Sequence, residues 1–241
     1  MIQVEQLPDI LFEDNHCLGL CKPAGIPTQA PEPFESLELW ARNYLKGRYQ
    51  KKGRPYLGIP HRLDRPVSGC VLFAKSSKAA ARFAEQFRDR TTKKTYLALV
   101  ELQSDSELPN EMYVPWKDYL RKLPGIAKGE VCTANAPEAQ EASLETRLLK
   151  KSGHVAMLEL MLHTGRMHQI RLQASSRNLP IVNDFLYGAI KPSSGMPENT
   201  ICLHAWKLQF LHPIRYETVV LQSGLPQYWP EWTHEVLPPC E

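Results

Sequence analysis

The densest chemistry in the chain lies in His61-Arg-Leu-Asp-Arg-Pro-Val-Ser-Gly69. Asp64 stands between Arg62 and Arg65, in a stretch that breaks at Pro66 and Gly69, ahead of the apolar run Gly69 to Ala74. A carboxylate at the mouth of a strand stays ionised next to cations, because opposite charge favours the charged form. Such a carboxylate can act as a nucleophile or as a general base. The plainer reading is a loop held by Asp–Arg pairs, which are common at surfaces and stabilise little. On the residues alone the plainer reading is ahead.

A second cluster is Leu162-His-Thr-Gly-Arg-Met-His-Gln-Ile-Arg171. Thr164 and Gly165 can start a short helix, predicted from about Met167 to Arg177, with Arg166, Gln169 and Arg171 near its N-terminal end. The N–H groups at such an end favour anions, and two arginines add to that, so a phosphate or a carboxylate suits the place. The alternative is a capped helix with a solvated basic face. His163 and His168 are five residues apart, which is not the i, i+4 spacing that puts two imidazoles on one helical face, so no metal is expected there. A third feature is the run Lys46, Arg48, Lys51, Lys52 and Arg54, with no acid from 46 to 54. It reads as a solvated loop or, given its place just ahead of the Asp64 cluster, as a phosphate-contacting one.

These residues need elements to hold them. Ile10-Leu-Phe12 and Cys17 to Cys21 suggest an opening hairpin turning at Glu13 to His16. Leu37, Trp40, Ala41, Tyr44 and Leu45 share one helical face, with Gly47 closing it. Gly69 to Ala74 reads as a buried strand, and Ser76 as the cap of a helix that buries Ala79, Ala80, Phe83, Ala84 and Phe87. Thr95 to Val100 is a strand, while 103 to 141 reads as a polar excursion or a small subdomain. Leu144 to Leu149 and Val155 to Leu162 form a hairpin, Asn178 and Pro180 end the short helix, and strands follow at 203–211 and 216–221. Irregular alternation with hairpins at both ends favours an α+β fold: a mainly antiparallel, mixed sheet flanked by helices and loops, with a central cleft. A domain over 1–225, with two subdomains around that cleft as an option, leaves a Pro/Trp-rich tail at 226–241.

Composition narrows the class. A net charge of +3 does not by itself mark a nucleic-acid binder, so the local clusters carry that reading. The six cysteines, Cys17, Cys21, Cys70, Cys132, Cys202 and Cys240, form no C-x-x-C pair and read as free thiols in a reducing compartment. A metal site on Cys17 and Cys21 is disfavoured because their segment reads as a strand. No signal peptide, membrane-length apolar run, G-x-G-x-x-G or P-loop pattern occurs. A cytoplasmic protein without a nucleotide cofactor is the expectation.

The motifs then become specific together. His61-Arg-Leu-Asp64, with Ser68-Gly69 and Ala74-Lys75, resembles the signature of RluA-type pseudouridine synthases. Lys22-Pro-Ala-Gly25, Lys94-Thr-Tyr96, Thr164 to Arg171, and the closing set Pro180 to Asp184, Tyr187-Gly188, Leu203-His-Ala205 and His212-Pro213 resemble further family motifs in order, over residues 9 to 215. Gln173 departs from a histidine, and Asn178 and Asn183 from glycines. The motifs begin almost at the first residue, so no N-terminal S4 domain is expected.

The resemblance implies an isomerase that converts uridine in structured RNA to pseudouridine, ribosomal RNA first and transfer RNA next, without cofactor or metal, as a monomer. It implies that Asp64 starts the reaction, by attack on the sugar, addition to the base, or removal of a sugar proton. Tyr96 would stack on the base and Arg171 would pair with Asp64. Arg62 would fill the gap left by a flipped uridine, and His61 would bind RNA or support the loop. Arg65, Arg166, Gln169, Lys51, Lys52, Arg54, Lys93 and Lys94, with Arg88 and Arg90, would hold RNA. The competing readings are a catalytically silent RNA-binding protein of the same fold and a metal-dependent hydrolase built on Asp64, Asp184 and histidines.

Overall fold

The structure, a computed structural model, describes residues 8–50, 52–190 and 195–237. Lys51 and Cys240 lie outside the described residues. Along the chain run β1 (Asp9–Glu13), β2 (Cys17–Lys22), α1 (Leu37–Arg48), β3 (Ser68–Ala74), α2 (Ser77–Arg88), β4 (Lys93–Glu101), β5 (Val114–Lys122) and β6 (Gly129–Cys132). Then come β7 (Gln140–Ser152), β8 (Val155–Leu162), α3 (Gln169–Ser175), a 3-10 turn (Phe185–Tyr187), β9 (Leu203–Leu211), β10 (Thr218–Gln222) and α4 (Glu231–His234). The described residues divide into two compact units, one running from 8 to 93 with Ala205–Gly224, the other of Lys94–His204 with 225–237.

In the first unit β1, β2 and β3 form an antiparallel meander, β9 lies next to β3, and β10 pairs with β9. The helices form for the reasons the sequence shows. Ser36 caps α1 by accepting from the Leu39 N–H at 3.2 Å, and Ser76 caps α2 by accepting from the Ala79 N–H at 3.3 Å. Leu37, Ala41 and Leu45 are the buried stripe of α1. Trp40 and Tyr44, expected on that face, stack on each other at its margin and stay half-buried. α1 runs past Gly47 to Arg48, since one exposed glycine costs a helix end little. α2 lays Ala79 and Phe83 onto Cys70, Leu72, Leu208 and Phe210, with Phe83 edge-on to Phe210 at 5.4 Å.

In the second unit the order is β4–β8–β7–β5–β6, and every neighbouring pair is antiparallel. β8 has the predicted bounds, and β7 is longer than predicted. The excursion from 103 to 141 contains β5 and β6. In β5 Trp116 and Leu120 point inward while Pro115, Lys117 and Tyr119 are exposed, the period of two that a half-buried strand requires. α3 is shorter than predicted. It starts only after His168, which is left-handed (φ 53°), and the left-handed Asn178 (φ 55°) follows its end. The residues after Leu225 pack in this unit, where Trp229 is buried and stands edge-on to His204. The α+β expectation is met. No helix among the described residues is long and apolar enough to cross a membrane.

Candidate active site

The Asp64 loop is strapped to the segment that follows β2. Thr28, buried, accepts from the Leu63 N–H and donates to the Leu63 carbonyl, each at 3.0 Å. The Arg65 carbonyl accepts from the Gly25 N–H at 2.9 Å, and Arg65 Nε donates back to the Gly25 carbonyl at 2.8 Å. The Val67 N–H closes a turn on the Asp64 carbonyl at 3.1 Å. Both flanks of Asp64 are therefore fixed while its side chain stays half-buried. Gly69, next in the loop, has a φ of +113°, and a Cβ there would run into the Ala205 backbone. Only glycine fits.

Lys22 completes the strap. Its fully buried ammonium donates to the carbonyls of Pro23 (2.9 Å), Ile26 (2.7 Å) and Arg65 (3.2 Å). Burial pulls its pKa down to about 7, and the charge of Asp64 opposes that pull. Three carbonyl acceptors match the three donors of an ammonium.

In the second unit Arg171, the third residue of α3, is buried and makes a bidentate pair with Asp184: Nε to Oδ2 at 2.6 Å and Nη2 to Oδ1 at 2.8 Å. Its guanidinium also lies over the Tyr187 ring, 4.8 Å from the centroid. Tyr96 sits half-buried in β4, opposite Leu160 of β8. The sequence offers Asp184 only as a metal ligand and Tyr187 only as part of a motif, because a carboxylate 13 residues from Arg171 gives no local signal of the pair.

Of the other expected RNA-binding residues, two are corrected. Gln169 is buried and its amide is fully used: Oε1 accepts from Thr164 Oγ1 (2.7 Å) and the Arg166 N–H (3.1 Å), while Nε2 donates to the Ser143 carbonyl and Gln173 Oε1, each at 3.1 Å. It organises the loop rather than meeting solvent. His61 Nε2 accepts from the Leu72 N–H at 2.9 Å and its ring stacks on Phe87, so it supports the loop, the second role considered for it. Arg62 is exposed and makes no hydrogen bond or ion pair with any described residue. Lys52 and Lys93 are exposed. Arg54 pairs with Glu32 at 3.1 Å on the surface. Arg166 Nε donates to the Glu141 carbonyl at 2.9 Å, and the Lys94 ammonium lies against Gly165, within 3.4 Å of where a Cβ would be.

The hydrolase reading loses its ligands. Both oxygens of Asp184 are engaged by Arg171. Asp14, Cys17 and His212 do converge, with ligand atoms within 4.8 Å of one another. However, His212 Nδ1 accepts from the Ile214 and Arg215 N–H groups, so its proton sits on Nε2 and is donated to Asp14 Oδ2 at 2.7 Å. Burial pushes the Cys17 thiol up to about 12, away from the thiolate a metal needs. The cluster is a hydrogen-bonded lock.

Residues 16–176 match the family described as RNA pseudouridylate synthase. The chain belongs to that family. Its relatives place it with RluA-type pseudouridylate synthases. An uncharacterized RNA pseudouridine synthase, YhcT, of Bacillus subtilis is 32% identical over 236 residues, covering 90% of this chain and 68% of the relative. The ribosomal large subunit pseudouridine synthase D of Borreliella burgdorferi is 31% identical over 207 residues, 83% of this chain and 60% of the relative. The dual-specificity RNA pseudouridine synthase RluA of Vibrio vulnificus is 31% identical over 229 residues, 88% and 84%. The chain thus spans less than two thirds of the Borreliella relative's length. The solved structure titled human RNA pseudouridylate synthase domain containing 4 shares the fold, with a TM-score of 0.73 at 22% identity over 91% of this chain and 89% of that one. Two departures of this pseudouridylate synthase chain from the motifs are conformationally neutral: Asn178 and Asn183 (φ 72°) take the left-handed backbone that glycine takes easily.

Proposed function

We propose that this protein isomerises uridine to pseudouridine in RNA, with Asp64 as the carboxylate that starts the reaction. The observation that carries the proposal is the Asp64 loop, clamped on both flanks by Thr28, Lys22 and Gly25 with its carboxylate half-buried, in a chain of this family. The bond from ribose C1′ to uracil N1 breaks, the base turns, a bond from C1′ to C5 forms, the C5 proton leaves, and N1 takes up a proton in its place. No electrons are gained or lost, so the reaction needs no redox cofactor.

The remaining roles follow the family resemblance. Arg171 is the cation paired with Asp64, and Tyr96 stacks on the base. Removing a uridine from its stack costs a few kcal/mol, and the exposed Arg62 fills the vacated space. Arg65, Arg166, Lys94, Lys93, Lys52 and Arg54 bind the RNA backbone. The name of the Borreliella relative supports ribosomal RNA of the large subunit as the first substrate, with transfer RNA as the second. The protein acts as a cytoplasmic monomer.

Pseudouridine mapping of RNA from a deletion strain tests the proposal. A site that disappears on deletion and returns with wild type but not with Asp64→Ala supports it. A map unchanged by deletion overturns it.

A further inference from the structure

The sequence gives no role to the segment from 103 to 141. Its strands β5 and β6 pack against α3, the helix that carries Arg171, through Leu120, Leu172 and Tyr187. α3 has only seven residues, and a helix that short does not hold itself in water. Its position must come from what packs against it.

Two polar connections do this. The first begins at Asp118, half-buried in β5. Its Oδ2 accepts from Gln173 Nε2 at 2.6 Å and from Arg177 Nη1 at 3.0 Å, and Arg177 lies over the Trp116 ring at 4.7 Å. Gln173 is fully buried and accepts in turn from Gln169, which holds Thr164 and the Arg166 N–H. Residues 169 and 173 are four apart and share one face of the helix, and Arg177 lies just past its end. That face carries an unbroken polar chain from the Thr164–Arg166 loop to Asp118.

The second connection begins at Gly129 in β6. Its N–H donates to the Tyr187 hydroxyl at 3.0 Å, and that hydroxyl shares a hydrogen bond with His168 Nδ1 at 2.7 Å. The Tyr187 ring lies under the Arg171 guanidinium. A Cβ at Gly129 would stand 3.0 Å from Leu172 Cδ1 and 3.1 Å from the Arg121 carbonyl oxygen, so strand and helix meet closely here and a side chain would have to push its neighbours back by a few tenths of an ångström.

We propose that the β5–β6 hairpin is a brace that sets the position of Arg171, with Asp118 and Tyr187 as its positioning residues. This rests on the role given to Arg171 above. Asp118 fixes the helix that carries the guanidinium, and Tyr187 fixes the surface on which the guanidinium lies.

The test is single-turnover pseudouridylation of a C5-tritiated transcript of the mapped RNA, with RNA affinity and thermal midpoint measured in parallel. Asp118→Ala is expected to slow the chemical step about tenfold, as small misplacements of a site residue do, at unchanged RNA affinity. Asp118→Asn, which keeps an acceptor for Gln173, is expected to retain most of the rate. A lower thermal midpoint with an intact rate overturns the brace. If Asp118→Ala does not fold, Tyr187→Phe decides: it keeps the ring and loses one oxygen, a slower step supports the brace, and an unchanged one overturns it. Arg171→Ala is measured beside them. If it retains the wild-type rate, the role given to Arg171 fails, and a slow Asp118→Ala then overturns the brace as well. If Arg171→Ala is slow and Asp118→Ala is not, only the brace fails.

Discussion

Arg171 and Asp184 face each other as a buried bidentate pair, with Nε to Oδ2 at 2.6 Å and Nη2 to Oδ1 at 2.8 Å. Such a fork fixes the plane of the guanidinium as well as its charge. Removing one partner strands a buried charge, at a cost of about 3–5 kcal/mol. Asp184→Ala is therefore expected to lower the urea midpoint strongly and to abolish activity. The double variant Arg171→Met with Asp184→Leu is expected to recover much of the stability and none of the activity. A double variant that is active would show that the pair serves the fold alone.

Lys22 presents a different balance. Its ammonium touches backbone carbonyls on both sides of the strap. Lys22→Met leaves those acceptors unpaired, and a loss of about 1–3 kcal/mol is expected. Equilibrium urea unfolding measures it. Because the contacts are to the backbone, stability should suffer more than the rate of the folded enzyme. A midpoint that does not move would contradict the strap.

Asp14 gives the fold an acid limit. Burial pushes its pKa up, but the N–H groups of His16 and Cys17 and the His212 ring outweigh that and hold it at about 2, below the usual value of about 3.9. The unfolded chain thus takes up this proton more readily. The contribution of Asp14 to stability is whole above about pH 4 and is lost as pH falls toward 2. Urea midpoints across that window should fall for the wild type and fall less steeply for Asp14→Asn. Parallel curves would refute the assignment.

RNA affinity should fall steeply with salt, since cations displaced from phosphates are recovered at higher ionic strength. Replacing a phosphate contact such as Lys93 should lower the salt slope by roughly one unit. Filter binding at several salt concentrations reads both. A flat dependence would remove the backbone-contact role given to the exposed cations.

Sequence reading succeeded where the physics is local. β8 came out at Val155–Leu162 because its apolar run is continuous, and Ser76 caps α2 because a serine before an apolar helical face has few better uses. β5 was missed because Asp118 occupies an inward position and breaks the alternation. It is there because Gln173 and Arg177 meet it from α3, which no window of sequence can contain. Gln169 was misread for the same reason: near two arginines a glutamine looks like a contact, while its burial depends on Ser143, far back in the chain. For the site, the motif order placed Asp64, Tyr96 and Arg171 on a loop, a strand and a helix. The partners that hold them, Thr28, Lys22, Asp184 and Tyr187, became visible only in three dimensions.

The central claim is that Asp64 acts on uridine in RNA. Tritium release from RNA labelled at uridine C5 tests it most directly, because the C5 proton must leave when the new carbon–carbon bond forms. Wild type should release tritium with or without chelator, and a folded Asp64→Ala variant should release none. Equal release by the two, or no release by folded wild type from a broad cellular RNA pool, would contradict the account.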